Sequence, residues 1–203
     1  MKTPSVVVFD LGKVLLDFDY SLAAKGMAAL SRVSAREIQE FIDHSPLLVR
    51  YEKGRITRKE FFEEVRAMAG YRGTLDDFCR LFSDVFTPIP PMIALKERLT
   101  AAGIPTYIFS NTNDLAITHI RATYPFYVGF DGYVLSYEHG FMKPESELYQ
   151  LVERMTGRTN DAICYLDDRR ENIDAGTARG WTALLHRSPD ESWAALRRLR
   201  LEV

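Results

Sequence analysis

Short unbroken apolar runs along this chain alternate with stretches of helical period. Val6-Val7-Val8-Phe9 is β-branched and aromatic throughout, predicts a buried central strand, and stops abruptly at Asp10 and Gly12. From about residue 21 to about residue 86 the period is helical only. Ser34 is placed to cap a helix through Ile38, Phe41 and Ile42. Thr57 with Glu60 forms a capping box ahead of Phe61, Phe62 and Val65, and Thr74 is placed to cap a helix through Phe78, Leu81, Phe82 and Val85. This reads as a helical bundle inserted after the first strand. Thr87-Pro88-Ile89-Pro90-Pro91 ends it, because three prolines in five residues stiffen the chain, and a hinge is expected here and at residues 17–20. Helices are then predicted at 92–102, 113–123, 145–155, 172–179 and from about 189. Strands are predicted at 106–110, 130–136, 162–166 and 182–185, with a loop at 137–144.

Strands alternating with helices imply an α/β fold, a parallel sheet with helices on both faces. Residues 1–16 and 91–203 are expected to form this core, and residues 17–90 the helical insert. Three of the strands end in polar residues, Asp10, Ser110-Asn111 and Asp167-Asp168, and Lys143 follows a fourth. In a parallel sheet these ends share one edge, where ligands bind. Asp10 alone reads as a turn residue and Asp167-Asp168 alone as a helix cap. Converging with Lys143, they read as a site for Mg²⁺, a cation held by oxygen ligands. An aspartate beside a cation and an ammonium can attack phosphorus, because both positive groups offset its repulsion from a phosphate dianion. Ser110 and the amide of Asn111 would add donors to the phosphate oxygens.

The 203 residues suffice for one sizeable domain with an insertion, and 46% hydrophobic against 27% charged residues excludes disorder. A net charge of -2 offers no basic field for nucleic acid or an anionic membrane. Arg197-Arg198-Leu199-Arg200 reads as a solvated helix face. Asp10 and Lys13 break the first apolar run, so no secretory signal or membrane span is read, and a cytoplasmic protein, monomeric or homodimeric, is expected. Cys79 and Cys164 sit apart in apolar surroundings and read as buried thiols.

Phe9-Asp10-Leu11-Gly12-Lys13-Val14, Phe109-Ser110-Asn111, Lys143-Pro144 and Leu166-Asp167-Asp168 match, in order, the four motifs of the haloacid dehalogenase superfamily, which the whole chain resembles. Tyr51-Glu52-Lys53-Gly54-Arg55-Ile56 and Ser110-Asn111-Thr112-Asn113 further resemble its bacterial glucose-1-phosphate phosphatase branch. The resemblance implies a Rossmann-like three-layer core with a helical cap and a Mg²⁺-dependent phosphatase of a small phosphorylated metabolite. It implies Asp10 as nucleophile, Ser110 and Lys143 as phosphate holders beside the Asn111 amide read above, and Asp167 with Asp168 as the acidic metal pair. The Gly12 carbonyl completes that set. Most phosphatases of the superfamily carry a second aspartate, the general acid and base, where this chain has Gly12. Losing such a group costs about 10²- to 10⁴-fold in rate. Three readings are open: Asp17, Asp19, Glu52 or His44 substitutes for it, water alone serves a good leaving group, or the chain is a poor enzyme. Arg50, Tyr51, Glu52 and Lys53, read as a loop of the cap, are the candidates for substrate specificity. A haloacid dehalogenase, a phosphonate-cleaving enzyme using Lys53 as a Schiff base, and a non-catalytic phosphometabolite binder are the alternatives.

Overall fold

The structure is a computed structural model that describes residues 3–201. Its centre is a five-stranded, wholly parallel sheet of β1 (Val6–Phe9), β4 (Thr106–Ser110), β5 (Gly132–Leu135), β6 (Ile163–Asp167) and β7 (Thr182–Leu185), in the order β5-β4-β1-β6-β7. β1 is the middle strand and is buried on both faces, which is why its run is continuous rather than alternating. Val7 and Phe9 face a core shared with α6 (Pro90–Ala101), α7 (Asp114–Thr123) and α11 (Pro189–Arg198). Val6 and Val8 face the opposite core, shared with α9 (Ser146–Thr156) and α10 (Arg170–Ala178). The two-residue period of the strand thus divides one apolar run between two layers. Cys164 is buried and Cys79 half-buried, both as free thiols. Among the described residues no helix is long and apolar enough to cross a membrane.

Between β1 and α6 lie five helices: α1 (Tyr20–Ala28), α2 (Ala35–His44), α3 (Pro46–Glu52), α4 (Arg58–Ala69) and α5 (Leu75–Ser83). They enclose their own core, in which Phe61 stacks on Tyr51 at 4.5 Å and meets Phe78 and Phe82 edge-on. Ser34, Thr57 and Thr74 each close a capping box, the last with Asp77. The helical reading needs two corrections. β2 (Leu16–Phe18) and β3 (Phe86–Pro88) pair antiparallel where hinges were expected, and Pro90 opens α6 two residues earlier than predicted. Proline is tolerated at the end of such a two-stranded ribbon and at the first position of a helix, where its missing N–H is not needed. A short helix, α8 (Ser136–His139), also replaces the start of the expected loop after β5.

The bundle is bound to the core by polar contacts from α3 and α4. The Tyr51 hydroxyl donates to Asp114, Arg58 Nη2 lies 2.8 Å from the same carboxylate, and Lys53 Nζ lies 2.6 Å from Glu145. Gly54 sits between these anchors with φ of 61°, and a Cβ there would fall 2.1 Å from the Tyr137 carbonyl oxygen. Both the left-handed backbone and the close approach require glycine. Gly54→Ala is therefore expected to cost more than about 1 kcal/mol and to lower Tm by at least about 3 °C. Thermal unfolding checks this, and an unchanged Tm would mean the two units are not held in this contact.

Candidate active site

The carboxyl edge of the sheet gathers Asp10, Ser110, Asn111, Lys143, Asp167 and Asp168. Asp10 follows β1, its backbone N–H donating to Leu166 of β6 at 2.8 Å and its Oδ1 accepting from the Leu11 N–H at 2.7 Å. Parallel register sets Phe9 opposite Leu166, so Asp10 and Asp167 emerge side by side. Asp10, Asp167 and Asp168 each present a carboxylate oxygen within 4.8 Å of the others.

Lys143, buried after α8, balances part of this charge. Its Nζ lies 3.0 Å from Asp10 Oδ2 and 2.6 Å from Asp167 Oδ2, and donates to the Phe109 carbonyl at 2.9 Å. The Asn111 side chain fixes the main chain that carries it. Asn111 Nδ2 donates to the Lys143 carbonyl at 3.0 Å, and Asn111 Oδ1 accepts from the Lys143 N–H at 2.7 Å. The amide thus clasps the Lys143 peptide unit from both sides. Ser110 ends β4, buried, with its hydroxyl 3.3 Å from the Asn111 carbonyl.

Burial is the largest influence on each ionisable group, and the balance differs among them. It raises Asp10 up to about 8, against Lys143 and together with Asp167 and Asp168. It would lower Lys143, but Asp10 and Asp167 outweigh it and hold the ammonium above its ordinary value. At Asp167 burial is outweighed by Lys143, Tyr165 and the Arg169 N–H, so this carboxylate sits below the usual range. Asp168 is raised by burial and by Asp167. The donors around Asp167 explain its difference. Asn172 Nδ2 reaches both oxygens at 3.0 and 3.1 Å, the Arg169 N–H reaches Oδ1 at 2.8 Å, and Lys143 and the Tyr165 hydroxyl share Oδ2. Three carboxyl groups, Asp10 and Asp167 buried and Asp168 partly exposed, face one ammonium, so they cannot all ionise without further positive charge, and the oxygen-only donor set fits a hard divalent cation.

A cavity of about 170 Å³ opens over these groups, bordered by Asp10, Lys143 and Asp168 below and by Phe18 and Glu52 from the inserted unit above. A smaller recess of about 60 Å³ adjoins it, with an apolar wall of Leu11, Leu16, Phe18, Tyr20, Phe86 and Ile120 and a polar one of Ser110, Asn111 and Thr112. Glu52 borders both. Burial pushes its carboxyl up to about 7 against the pull of the Arg169 guanidinium.

The other cap candidates stand elsewhere. Arg50, Tyr51 and Glu52 belong to helix α3 and Lys53 caps it, so the expected loop is a helix end. Arg50 pairs with Glu64 at 3.1 Å, while Tyr51 and Lys53 are taken up in the contacts to Asp114 and Glu145. None of these three borders the cavity over Asp10. Asp17 is engaged by Lys13, and Asp19 caps α1. Tyr165, Arg169 and Asn172 are site residues that the sequence reading passed over. Tyr165 was open to it, since the two-residue strand period puts it on the same side as Asp167.

The profile of the haloacid dehalogenase-like hydrolases matches residues 4–180. The chain belongs to that family. It is 23% identical over 183 residues to a sesquiterpene phosphatase of Aspergillus oryzae, covering 90% of this chain and 89% of the relative. It is 21% identical over 185 residues to a D-ribitol-5-phosphate phosphatase of Bacteroides thetaiotaomicron, covering 86% and 88%. A haloacid dehalogenase family enzyme of the same bacterium, crystallised with magnesium and inorganic phosphate, superposes with a TM-score of 0.79 at 23% identity, over 91% of this chain and 94% of that one.

A carboxyl raised by burial has a signed effect on stability. The Asp10 contribution, intact below its unfolded value near 4, is lost as pH rises toward about 8, at up to about 1.4 kcal/mol per pH unit. In chelator, wild type is therefore expected to lose stability relative to Asp10→Asn across that window. Denaturant unfolding at a series of pH values checks it, and a difference that stays flat with pH would contradict the burial assigned to Asp10.

Proposed function

We propose that this chain is a Mg²⁺-dependent phosphatase of a small phosphomonoester, working through an aspartyl phosphate on Asp10. The observation that carries the reading is the set of three carboxylates, oxygens within 4.8 Å, beside the buried Lys143 ammonium. Asp10, Asp168 and the Gly12 carbonyl would hold the metal. Asp167, its oxygens already accepting from four neighbours, would act through Lys143 and through water. When bound, Mg²⁺ supplies positive charge that offsets the repulsion between carboxylate and phosphate.

The reaction on this chain's residues has two displacements. One oxygen of Asp10 attacks phosphorus, and the bond from phosphorus to the ester oxygen breaks. Water then attacks the same phosphorus, the bond to Asp10 breaks, and inorganic phosphate leaves with the carboxylate restored. Lys143 neutralises the transferring group, while Ser110 Oγ and the Asn111 N–H donate to its oxygens. The inserted unit, residues 17–90, closes the cavity from above and meets the leaving group. A dehalogenase needs no cation, whereas this carboxylate cluster does. Lys53 is committed to Glu145, which weighs against an imine mechanism.

The leaving group is proposed to be the alcohol of a small metabolite, with glucose 1-phosphate as the sugar phosphate to test first. The recess lined by Phe18, Tyr20, Phe86 and Ile120 supports a second candidate, an ester whose carbon skeleton presents an apolar face beside the phosphate. Phosphate release from glucose 1-phosphate, ribitol 5-phosphate and a short isoprenoid phosphate is expected with Mg²⁺. It should stop in chelator and fall by at least about 10⁴-fold in Asp10→Asn. Release that survives chelation, or that survives in Asp10→Asn, would overturn the proposal.

A further inference from the structure

Gly12 has no side chain, and the space it leaves is filled. A Cβ at position 12 would lie 2.8 Å from Phe18 Cε1. That ring has neighbours of its own. It belongs to the ribbon strand that pairs Phe18 with Phe86, lies 5.3 Å from the Tyr20 ring and 6.2 Å from the Phe86 ring, and carries Lys13 Nζ at 4.6 Å from its centroid. A carboxyl side chain two residues after Asp10 would have to displace this aromatic group. A side-chain proton donor and acceptor for the reaction would then come from another wall of the cavity.

That wall holds one carboxyl. Among the described residues Glu52 is the only acidic side chain bordering both the cavity over Asp10 and the adjoining recess, which places it at the junction of the two. It is also held firmly in place. Its sequence neighbours are the two anchors of α3, Tyr51 on Asp114 and Lys53 on Glu145, and Gly54 lies directly against the Tyr137 carbonyl. A group on such a pinned helix end is placed with the accuracy that proton transfer demands. No hydrogen bond or ion pair among the described residues commits the Glu52 carboxyl. The groups that share the cavity with it are Asp10, Lys13, Lys143, Asp168 and Arg169, and Tyr20 flanks it in the recess.

We infer that Glu52, reaching down from the inserted helical unit, is the general acid and base of this active site, standing in for the side chain that Gly12 lacks. The inference rests on the phosphatase reading given above. In the first step the Glu52 carboxyl gives its proton to the ester oxygen as the bond from that oxygen to phosphorus breaks, and the alcohol departs neutral. In the second, the Glu52 carboxylate takes a proton from the water that attacks phosphorus, which regenerates the acid as inorganic phosphate forms. The carboxyl is protonated often enough near neutrality for the first role, because burial outweighs Arg169.

The test compares wild type with Glu52→Gln on phosphate esters of graded leaving-group acidity, from activated aryl phosphates to simple alkyl phosphates, with Mg²⁺ present. The readout is kcat/KM, which reports phosphoryl transfer to Asp10. Glu52→Gln is expected to lose about 10²- to 10⁴-fold on alkyl phosphates and far less on activated aryl phosphates, whose leaving groups need no proton. It should also accumulate phosphoenzyme, since the base for the second step is gone. Loss of equal size across the series would make Glu52 a binding or structural residue, and no loss would exclude it; either result overturns the inference while leaving the phosphatase reading intact. Wild type that releases phosphate from no ester would instead overturn the phosphatase reading, and this inference with it. A solvent isotope effect on alkyl phosphate turnover by wild type keeps the inference testable should the variant fold poorly, and its absence would count against any proton donor.

Discussion

The ammonium of Lys143, shut between Asp10 and Asp167, is the interaction on which the rest of the site depends. A lysine this deeply buried survives as a cation only because Asp10 and Asp167 face it. It in turn holds Asp167 ionised, while burial still keeps Asp10 raised to about 8. Removing one member of such an arrangement leaves a bare buried charge, a loss of about 3–5 kcal/mol where it has been measured. The surrounding hydrogen bonds serve this balance. The Asn111 amide clamps the Lys143 main chain, the Phe109 carbonyl takes another ammonium proton, and Tyr165, Asn172 and the Arg169 N–H saturate Asp167. Asp10 and Asp168, both raised for want of positive charge, are the carboxyls that call for a divalent cation.

The sheet makes this convergence possible. Asp10, Ser110 and Asp167 come from three neighbouring parallel strands, and Lys143 follows the helix after a fourth. The register of β1 with β6 and β4 sets their ends level, and a slip of one residue would turn each of these side chains to the other face. Chemistry at the strand ends is therefore tied to packing in both cores at once. The ribbon of β2 and β3 then carries the chain into and out of the helical unit, and in doing so lays Phe18 over the gap beside Gly12.

These features were unequally legible in the sequence. Asp10, Ser110 and Asp167-Asp168 could be read because each terminates an apolar run, and a parallel sheet brings such ends together whatever the intervening chain does. The ribbon could not, since two three-residue strands, one ending in proline, show no period and are specified only by meeting each other. Arg50 to Lys53 were read as a loop although Ser45 and Pro46 form an ordinary helix start. The partners that fix these residues, Asp114 for Tyr51 and Glu145 for Lys53, are 63 and 92 positions away. The absence of a side chain at position 12 was visible at once; its steric reason, an aromatic ring six residues on, required the fold.

In the proposed mechanism Asp10 takes the phosphoryl group before water does. The stereochemistry at phosphorus measures this most directly. An aryl phosphate made chiral with oxygen isotopes would be turned over with Mg²⁺, with an acceptor alcohol present so that the product phosphate ester keeps a readable configuration. Two successive in-line displacements, first by Asp10 and then by the acceptor, predict net retention. Inversion would mean a single displacement by the acceptor, and would contradict the account of Asp10 as nucleophile.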